Sequence, residues 1–471
     1  MGSQRSWQGL DCCGYPRSRC LLIFVSLVFL ALPLSATTYY VDNCVTLGSD
    51  SNNGTSASTP WLTVAKVNGF SFSPGDTVEF RKTCSWNEVL NPGTSGSPGS
   101  PITFDAYGAG ANPEFTPVSA TNVLTIGPLA YLTFNNLTFL GATGQGVTIT
   151  NPGASTPANH LVFNNVISNF NGSSGFNFQY GSNNITISNC QASHNGVSGI
   201  YDDNGIEIGS YGAASHDITI DDCDIGYNGN EAIVVSVTSS GYSPYNITVS
   251  HSQLHHTSNS SYPDGFHIDG GGTGFVVYRN LVYANAGNGL GFNSNTYGTP
   301  SVLIYGNTIT GNGTGGSRTN GAYLDANVTL ANNIFSSNPG YEIYVPNSTT
   351  ITSDYDDYYH PSGNPFSYNG TAYASLSAWQ TATGGDAHSI ATNPLLTSSS
   401  NLTLGARSPA INAGENSGSS YALALSPVSP TWPFSEVNQN NYGTGREMGA
   451  FVFAQQVPPA PPTSLSATVV K

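Results

Sequence analysis

Charge is scarce in this 471-residue chain: Asp, Glu, Lys and Arg together make up 8%. Positive charge is scarcest, with 11 Lys and Arg against 27 Asp and Glu and a formal net charge of −16. No Lys or Arg occurs between Lys82 and Arg279. Such a chain repels phosphate, which excludes nucleic acid as an expected partner. It also repels polyanionic sugars unless a cation mediates. Long apolar runs are absent apart from residues 20–34, which fall short of the roughly 20 residues that span a bilayer. Cysteine is sparse, and no pair has zinc-site spacing. Low charge with 54 Gly and 28 Pro is compatible with disorder, but 11% aromatic residues and many short β-branched runs are not. They indicate a β-rich, turn-rich globular class.

Residues 1–36 read as a secretory signal peptide. Arg17 and Arg19 form the positive region, residues 20–34 the apolar region, and Leu34-Ser35-Ala36 a small-residue cleavage site. The reading predicts export to the extracellular space, a mature chain from near Thr37, and no membrane partner for that chain. Cys44, Cys84, Cys190 and Cys223 remain. An exported chain permits disulfides, and Cys44–Cys84 is the candidate bridge. Residues 37–453 form the predicted domain. Residues 454–471 are a Pro-rich linker and tail, with residues 463–471 resembling the start of a fibronectin-type module.

A repeat organises the domain. Leu132-Thr133-Phe134-Asn135-Asn136, Leu161-Val162-Phe163-Asn164-Asn165 and Ile185-Thr186-Ile187-Ser188-Asn189 open a series of short strands, each closed by a polar residue. Aligned this way, the closing column is Asn136, Asn165, Asn189, Asp222, His251, Asn280, Asn307 and Asn333, at intervals of 24 to 33 residues. Units this small bury an apolar face only by stacking, and stacked Asn side chains then bond along the axis. Cys190 and Cys223 follow this column and are expected inside, as paired thiols or a disulfide. A second strand recurs in each coil, as in Gly205-Ile206-Glu207-Ile208, Ala232-Ile233-Val234-Val235 and Gly265-Phe266-His267-Ile268. Its second and fourth residues face in and its third faces out.

These repeats resemble the right-handed parallel β-helix proteins of the pectate-lyase-like superfamily. The flanks strengthen the likeness: Pro74-Gly75-Asp76-Thr77-Val78 and Gly99-Ser100-Pro101-Ile102-Thr103-Phe104 before the repeats, and Asn393-Pro394-Leu395-Leu396, Ser408-Pro409-Ala410-Ile411-Asn412 and Met448-Gly449-Ala450-Phe451 after them. The resemblance covers roughly residues 38–453 and implies an all-β, right-handed parallel β-helix. It is weak for reaction, because the fold hosts lyases, hydrolases, epimerases and adhesins.

The outward positions of the second strand are bland at first (Thr148, Asn177, Gln179) and become acidic midway. Glu207, Glu231, Asp264, His267 and Asp269 are the candidate catalytic residues. Arg279, Asn293 and Tyr323 are candidate substrate contacts, and Tyr201 and Tyr262 are further candidates for stacking on sugars. Alignment places Glu231 with Asp264, Glu207 with His267 and Asp269 with Asn293. Clustered carboxylates raise the pKa of at least one member or recruit a cation. The phrase Pro263-Asp264-Gly265-Phe266-His267-Ile268-Asp269 resembles the Asp-Gly strands of polygalacturonases and calcium-dependent pectate lyases. Asp269 stands where some of those lyases carry a Lys base, and the paired Asp-Asp of polygalacturonases is not reproduced in order. The favoured expectation is a monomeric carbohydrate-active enzyme acting on a polysaccharide by carboxylate acid–base hydrolysis. One alternative is a calcium-assisted lyase or uronate C5-epimerase with His267 as base and acids such as Asp202 and Asp203 holding the metal. Another is a non-catalytic polysaccharide-binding stalk.

Overall fold

The computed structural model describes residues 36–150, 156–196, 203–237, 241–258, 261–443 and 445–453. The predicted signal peptide, Tyr201, Asp202 and the Pro-rich tail lie outside them. Described residues 36–453 wind into a parallel β-helix with three sheets. Twelve strands from Thr38–Val41 to Ile351–Asp354 form the first and eleven from Ser85–Trp86 to Asp357–Tyr359 the second. Eleven from Leu124–Ile126 to Thr371–Tyr373 form the third, whose last strand is antiparallel. The sequence repeat shows two strands per coil, and the structure adds the second sheet. Most of its strands span three residues, such as Thr138–Leu140 and Ile167–Asn169, too short for alternation to stand out.

Like residues stack because neighbouring coils pair in register. Phe104, Phe134 and Phe163 overlap at 5.2 Å between ring centroids. At the bend after the first sheet, Asn136, Asn165, Asn189, Asp222 and His251 adopt positive φ between 47 and 55°. Asn and Asp tolerate this left-handed geometry better than most residues, which explains the start of the polar column. The continuation differs from the sequence alignment by one residue. Thr248, not Ile247, pairs with Val276. The left-handed column therefore runs on through Arg279, Gly306 and Asn332. Asn280, Asn307 and Asn333 fall one place later, in the interior column of Cys190, Cys223 and Ser252. The slip arises because Phe275-Val276-Val277 is apolar throughout; Phe275 and Val277 are buried while Val276 faces outward, half-exposed.

Asn280, Asn307 and Asn333 do form an axial ladder, each Nδ2 donating to the Oδ1 of the next at 3.1 and 3.0 Å, ending on Asp356 at 2.9 Å. A second ladder, absent from the sequence reading, lines the bend into the third sheet. Asn171, Asn195 and Asn228 are linked at 3.0 and 3.1 Å. Thr257 interrupts, and Asn285, Asn312 and Asn338 resume at 2.9 and 3.2 Å. Cys44 and Cys84 form a disulfide, whereas Cys190 and Cys223 are buried free thiols.

The C-terminal segment lies along the flank beside the left-handed column. Trp432 Nε1 donates to Asp222 O at 2.9 Å, and Leu402, Phe434 and Phe451 cluster with Leu281. His251 Nδ1 lies 2.8 Å from Asp221 and 3.0 Å from Glu436 of this segment. Burial opposes a charge on His251, but the two carboxylates raise its pKa to about 9. The folded value exceeds the unfolded one near 6.5, so this stabilisation is complete below about pH 6.5 and is lost as pH rises through about 9.

Two outcomes follow from this architecture. Asn312→Ala removes one carboxamide and orphans the donors of Asn285 and the carbonyl of Val282; denaturant titration should show a loss of about 3 kcal/mol. Between pH 7 and 10 the wild-type thermal midpoint should fall, by on the order of a few kcal/mol of stability. His251→Gln should start lower and stay flat; an equal decline in both proteins would refute the clamp.

Candidate functional site

Strand pairing in the third sheet sets the site. Asn177 pairs with Glu207, Glu207 with Val234, Val234 with His267 and His267 with Gly291. Side chains in this column stack outward, coil upon coil. Asp269 pairs with Asn293 two residues further along. Glu231 and Asp264 each lie two residues before successive strands, and their backbone carbonyls join the ladder: Gly205 N donates to Glu231 O and Ala232 N to Asp264 O. Glu207, Glu231, His267, Asp269 and Asn293 consequently line one cleft of about 240 Å³, with Tyr211 and Tyr262.

The acids in this cleft are held differently. Glu207 is buried; its Oε2 accepts from Ser174 Oγ at 3.2 Å and Asn177 Nδ2 at 3.0 Å, and its Oε1 from Gln179 Nε2 at 3.2 Å. Hydrogen bonds from several donors favour an ionised carboxylate. Asn177 and Gln179, bland in the sequence, therefore hold the cleft carboxylate in place. Glu231 is also buried, with Oε1 2.8 Å from His267 Nδ1 and Oε2 without a partner among the described residues. Burial raises its pKa, the bond to His267 works against the rise, and the charge of Asp264 adds to it. Asn293 Nδ2 lies 2.8 Å from His267 Nε2. With Asn293 donating to Nε2, the Nδ1–H of His267 donates a hydrogen bond to Glu231 Oε1. Tyr262 stacks on the imidazole at 5.4 Å. Asp269 is half-buried and accepts from Asn295 at 3.3 Å.

Two expected site residues are placed elsewhere. Asp264 is fully buried and sits behind the cleft wall, accepting from Arg318 Nε with Oδ1 at 3.0 Å and pairing with Arg318 Nη2 through Oδ2. Its other bond is from the backbone N of Asn288, at 2.8 Å. Asp264 is the counter-ion of Arg318 rather than a free acid. Gly291 makes room for the pair, since a Cβ there would lie 1.9 Å from Asp264 Oδ2. Arg279 belongs to the left-handed column on another face, stacked on Tyr305 and donating to the backbone carbonyl of Gly449. It is fully buried beneath the C-terminal segment and cannot reach a sugar in the cleft. The one-residue slip in the alignment concealed this placement.

Arg318 was missed because it directly follows the Gly-rich stretch Gly313-Thr314-Gly315-Gly316-Ser317, outside the strand pattern. Its position four residues before the third-sheet strand Ala322–Leu324 was the available signal. Tyr323 lines a neighbouring cavity with Arg318. Asp203 is buried at the approach to the Glu207 strand.

Among the described residues, those lining the cleft do not form a calcium cage. Glu207 is engaged by three donors, Glu231 by His267 and Asp264 by Arg318. Among the described residues, groups of three ligating side chains with atoms within 4.8 Å occur only at Asp42, Cys44 and Cys84 and at Asp221, His251 and Glu436. None is in the cleft.

Residues 126–298 and 205–356 match the family model described as the right handed beta helix region. The chain is a right-handed parallel β-helix protein of pectate-lyase-like fold. The pectate lyase Pel9A superposes with a TM-score of 0.55 at 17% identity, covering 88% of this chain and 97% of that one. A rhamnogalacturonan lyase superposes with a TM-score of 0.53 at 18% identity, covering 68% and 87%. At these identities the likeness concerns the fold. A 92-residue stretch, 19% of this chain, is 38% identical to lacto-N-biosidase of Bifidobacterium longum subsp. longum and spans 6% of that protein's length.

Removing one member of the Asp264–Arg318 pair strands a buried charge. Arg318→Ala should cost about 3–5 kcal/mol, and an apolar Asp264→Leu/Arg318→Met pair should recover most of it. Denaturant titration of the three proteins checks this.

Proposed function

We propose that this chain is an exported, polysaccharide-active enzyme that hydrolyses glycosidic bonds in the cleft of the third sheet. The observation that carries the reading is a pair of buried carboxylates on adjacent coils in contrasting environments. Glu207 is surrounded by donors, while Glu231 is desolvated with a buried Oε2 that has no partner among the described residues. Environments that push two carboxyl groups apart assign acid and base. Glu231 acts as the acid and gives a proton to the leaving oxygen; the Nδ1–H of His267 then stabilises the carboxylate that forms. Glu207, already ionised, takes a proton from the attacking water. Asp269 and Asn293 hold sugar hydroxyls, and Tyr262 supplies an apolar wall.

The charge balance supports neutral sugars. No Lys or Arg is among the described residues lining the cleft, and a uronate carboxylate there would face Glu207, Glu231 and Asp269. The 92-residue likeness to a protein named as a biosidase is consistent with glycoside hydrolysis. The Cys44–Cys84 disulfide suits an oxidising compartment and supports export.

The test is release of reducing ends from a panel of neutral and acidic polysaccharides, with ultraviolet absorbance followed in parallel. Neutral substrates should yield reducing ends without absorbance. Glu231→Gln and Glu207→Gln should each lower kcat by roughly 10²–10⁴-fold. Activity should fall as pH rises through the raised pKa of Glu231, where the acid loses its proton. An absorbing, unsaturated product would instead identify a lyase, and binding without turnover would identify a stalk.

A further inference from the structure

The second cavity on the same sheet has no part in the proposed chemistry. It measures about 420 Å³, and Asn288, Arg318, Asn320, Tyr323, Tyr341 and Tyr344 contribute to its lining. Tyr323 and Tyr344 pair in register and stack at 5.3 Å, with Tyr341 tilted against Tyr344 at 5.5 Å. All three rings are half-buried, so the wall is apolar yet open to solvent. Its column is the column of the catalytic cleft: Glu207, Val234, His267, Gly291, Tyr323 and Tyr344 pair in succession. Five steps at ~4.8 Å place Tyr344 roughly 24 Å from Glu207 along the helix axis.

Arg318 forms the boundary between the two cavities. Its guanidinium lies 5.0 Å from the ring centroid of Tyr262, which stacks on His267, and 5.8 Å from that of Tyr323. Asp264 engages Nε and Nη2 and so fixes the plane. Nη1 makes no hydrogen bond with the described residues and remains available as a donor. Asn288 likewise commits its Oδ1 to Asn320, and its Nδ2 makes no hydrogen bond with the described residues.

We propose that this cavity is a distal subsite for a pyranose of the same polysaccharide, so that the protein acts within an extended glycan rather than on a terminal sugar. The proposal rests on the reading of the first cleft as a glycan site. A pyranose has an apolar C–H face that suits the tyrosine wall, and equatorial hydroxyls within reach of Arg318 Nη1 and Asn288 Nδ2. Tyrosine combines a rigid apolar body with a polar tip, which suits such a ligand. A chain lying along the axis fills both cavities, as the shared column requires.

The test is affinity electrophoresis of the full chain in gels containing galactan, xylan, glucomannan, polygalacturonate or alginate. The wild-type protein and Glu231→Gln should be retarded equally by at least one of these polysaccharides. Tyr323→Ala and Tyr344→Ala should each weaken that retardation on the order of tenfold, and the corresponding Phe variants should restore it. Thermal midpoints of the Ala variants establish that they are folded. Alanine variants that bind like wild type, or no retardation in any gel, would overturn the subsite. If Glu231→Gln retains full turnover while the tyrosine variants lose binding, the catalytic assignment fails and the subsite stands.

Discussion

Every feature of this molecule depends on the in-register hydrogen bonding of parallel strands from one coil to the next. That pairing makes residues 21 to 39 positions apart into neighbours a few ångströms away, and it does so in columns. A column of Phe fills the core, a column of Asn satisfies a bend, and a column of mixed polar residues becomes a cleft. A slip of one residue exchanges inside for outside. This is why Arg279 and Asn280 serve different ends, one beneath the C-terminal segment and the other in the axial ladder.

The cleft illustrates how little charge is needed when its surroundings are controlled. Arg318 neutralises Asp264 behind the wall, and the absence of a side chain at Gly291 makes room for that pair. Glu231 is left desolvated beside His267, while Ser174, Asn177 and Gln179 surround Glu207 with donors. The carboxylates have one formal charge type but two electrostatic environments. Low dielectric strengthens both the hydrogen bonds made and the cost of those missing, and it separates the two acids more strongly than an exposed surface would.

Much of the fold was legible in the chain. The repeat of short strands, the outward third position of the second strand and the alignment of Glu207, Glu231, His267, Asp269 and Asn293 all follow from periodicity, because strand alternation and coil length are local properties. The bend after the first sheet was visible as recurrent Asn for the same reason, but its left-handed backbone was not. The second sheet was hidden by its three-residue strands. The register after Phe275 was hidden by an apolar residue facing outward. Arg318 was hidden in a Gly-rich turn that carries no periodic signal.

The sequence by itself determined the parallel solenoid, its stacked interior and the face on which polar residues gather. These need only local alternation and a repeat length. The tertiary structure alone decided which gathered residues work together. It paired Asp264 with an arginine 54 positions away, covered Arg279 with a segment about 170 residues downstream, and left Glu231 with a buried oxygen that has no partner among the described residues. Such pairings depend on how loops of unequal length fold back over the coils. Desolvation and partner geometry, which set the state of each carboxyl, exist only once those loops are in place.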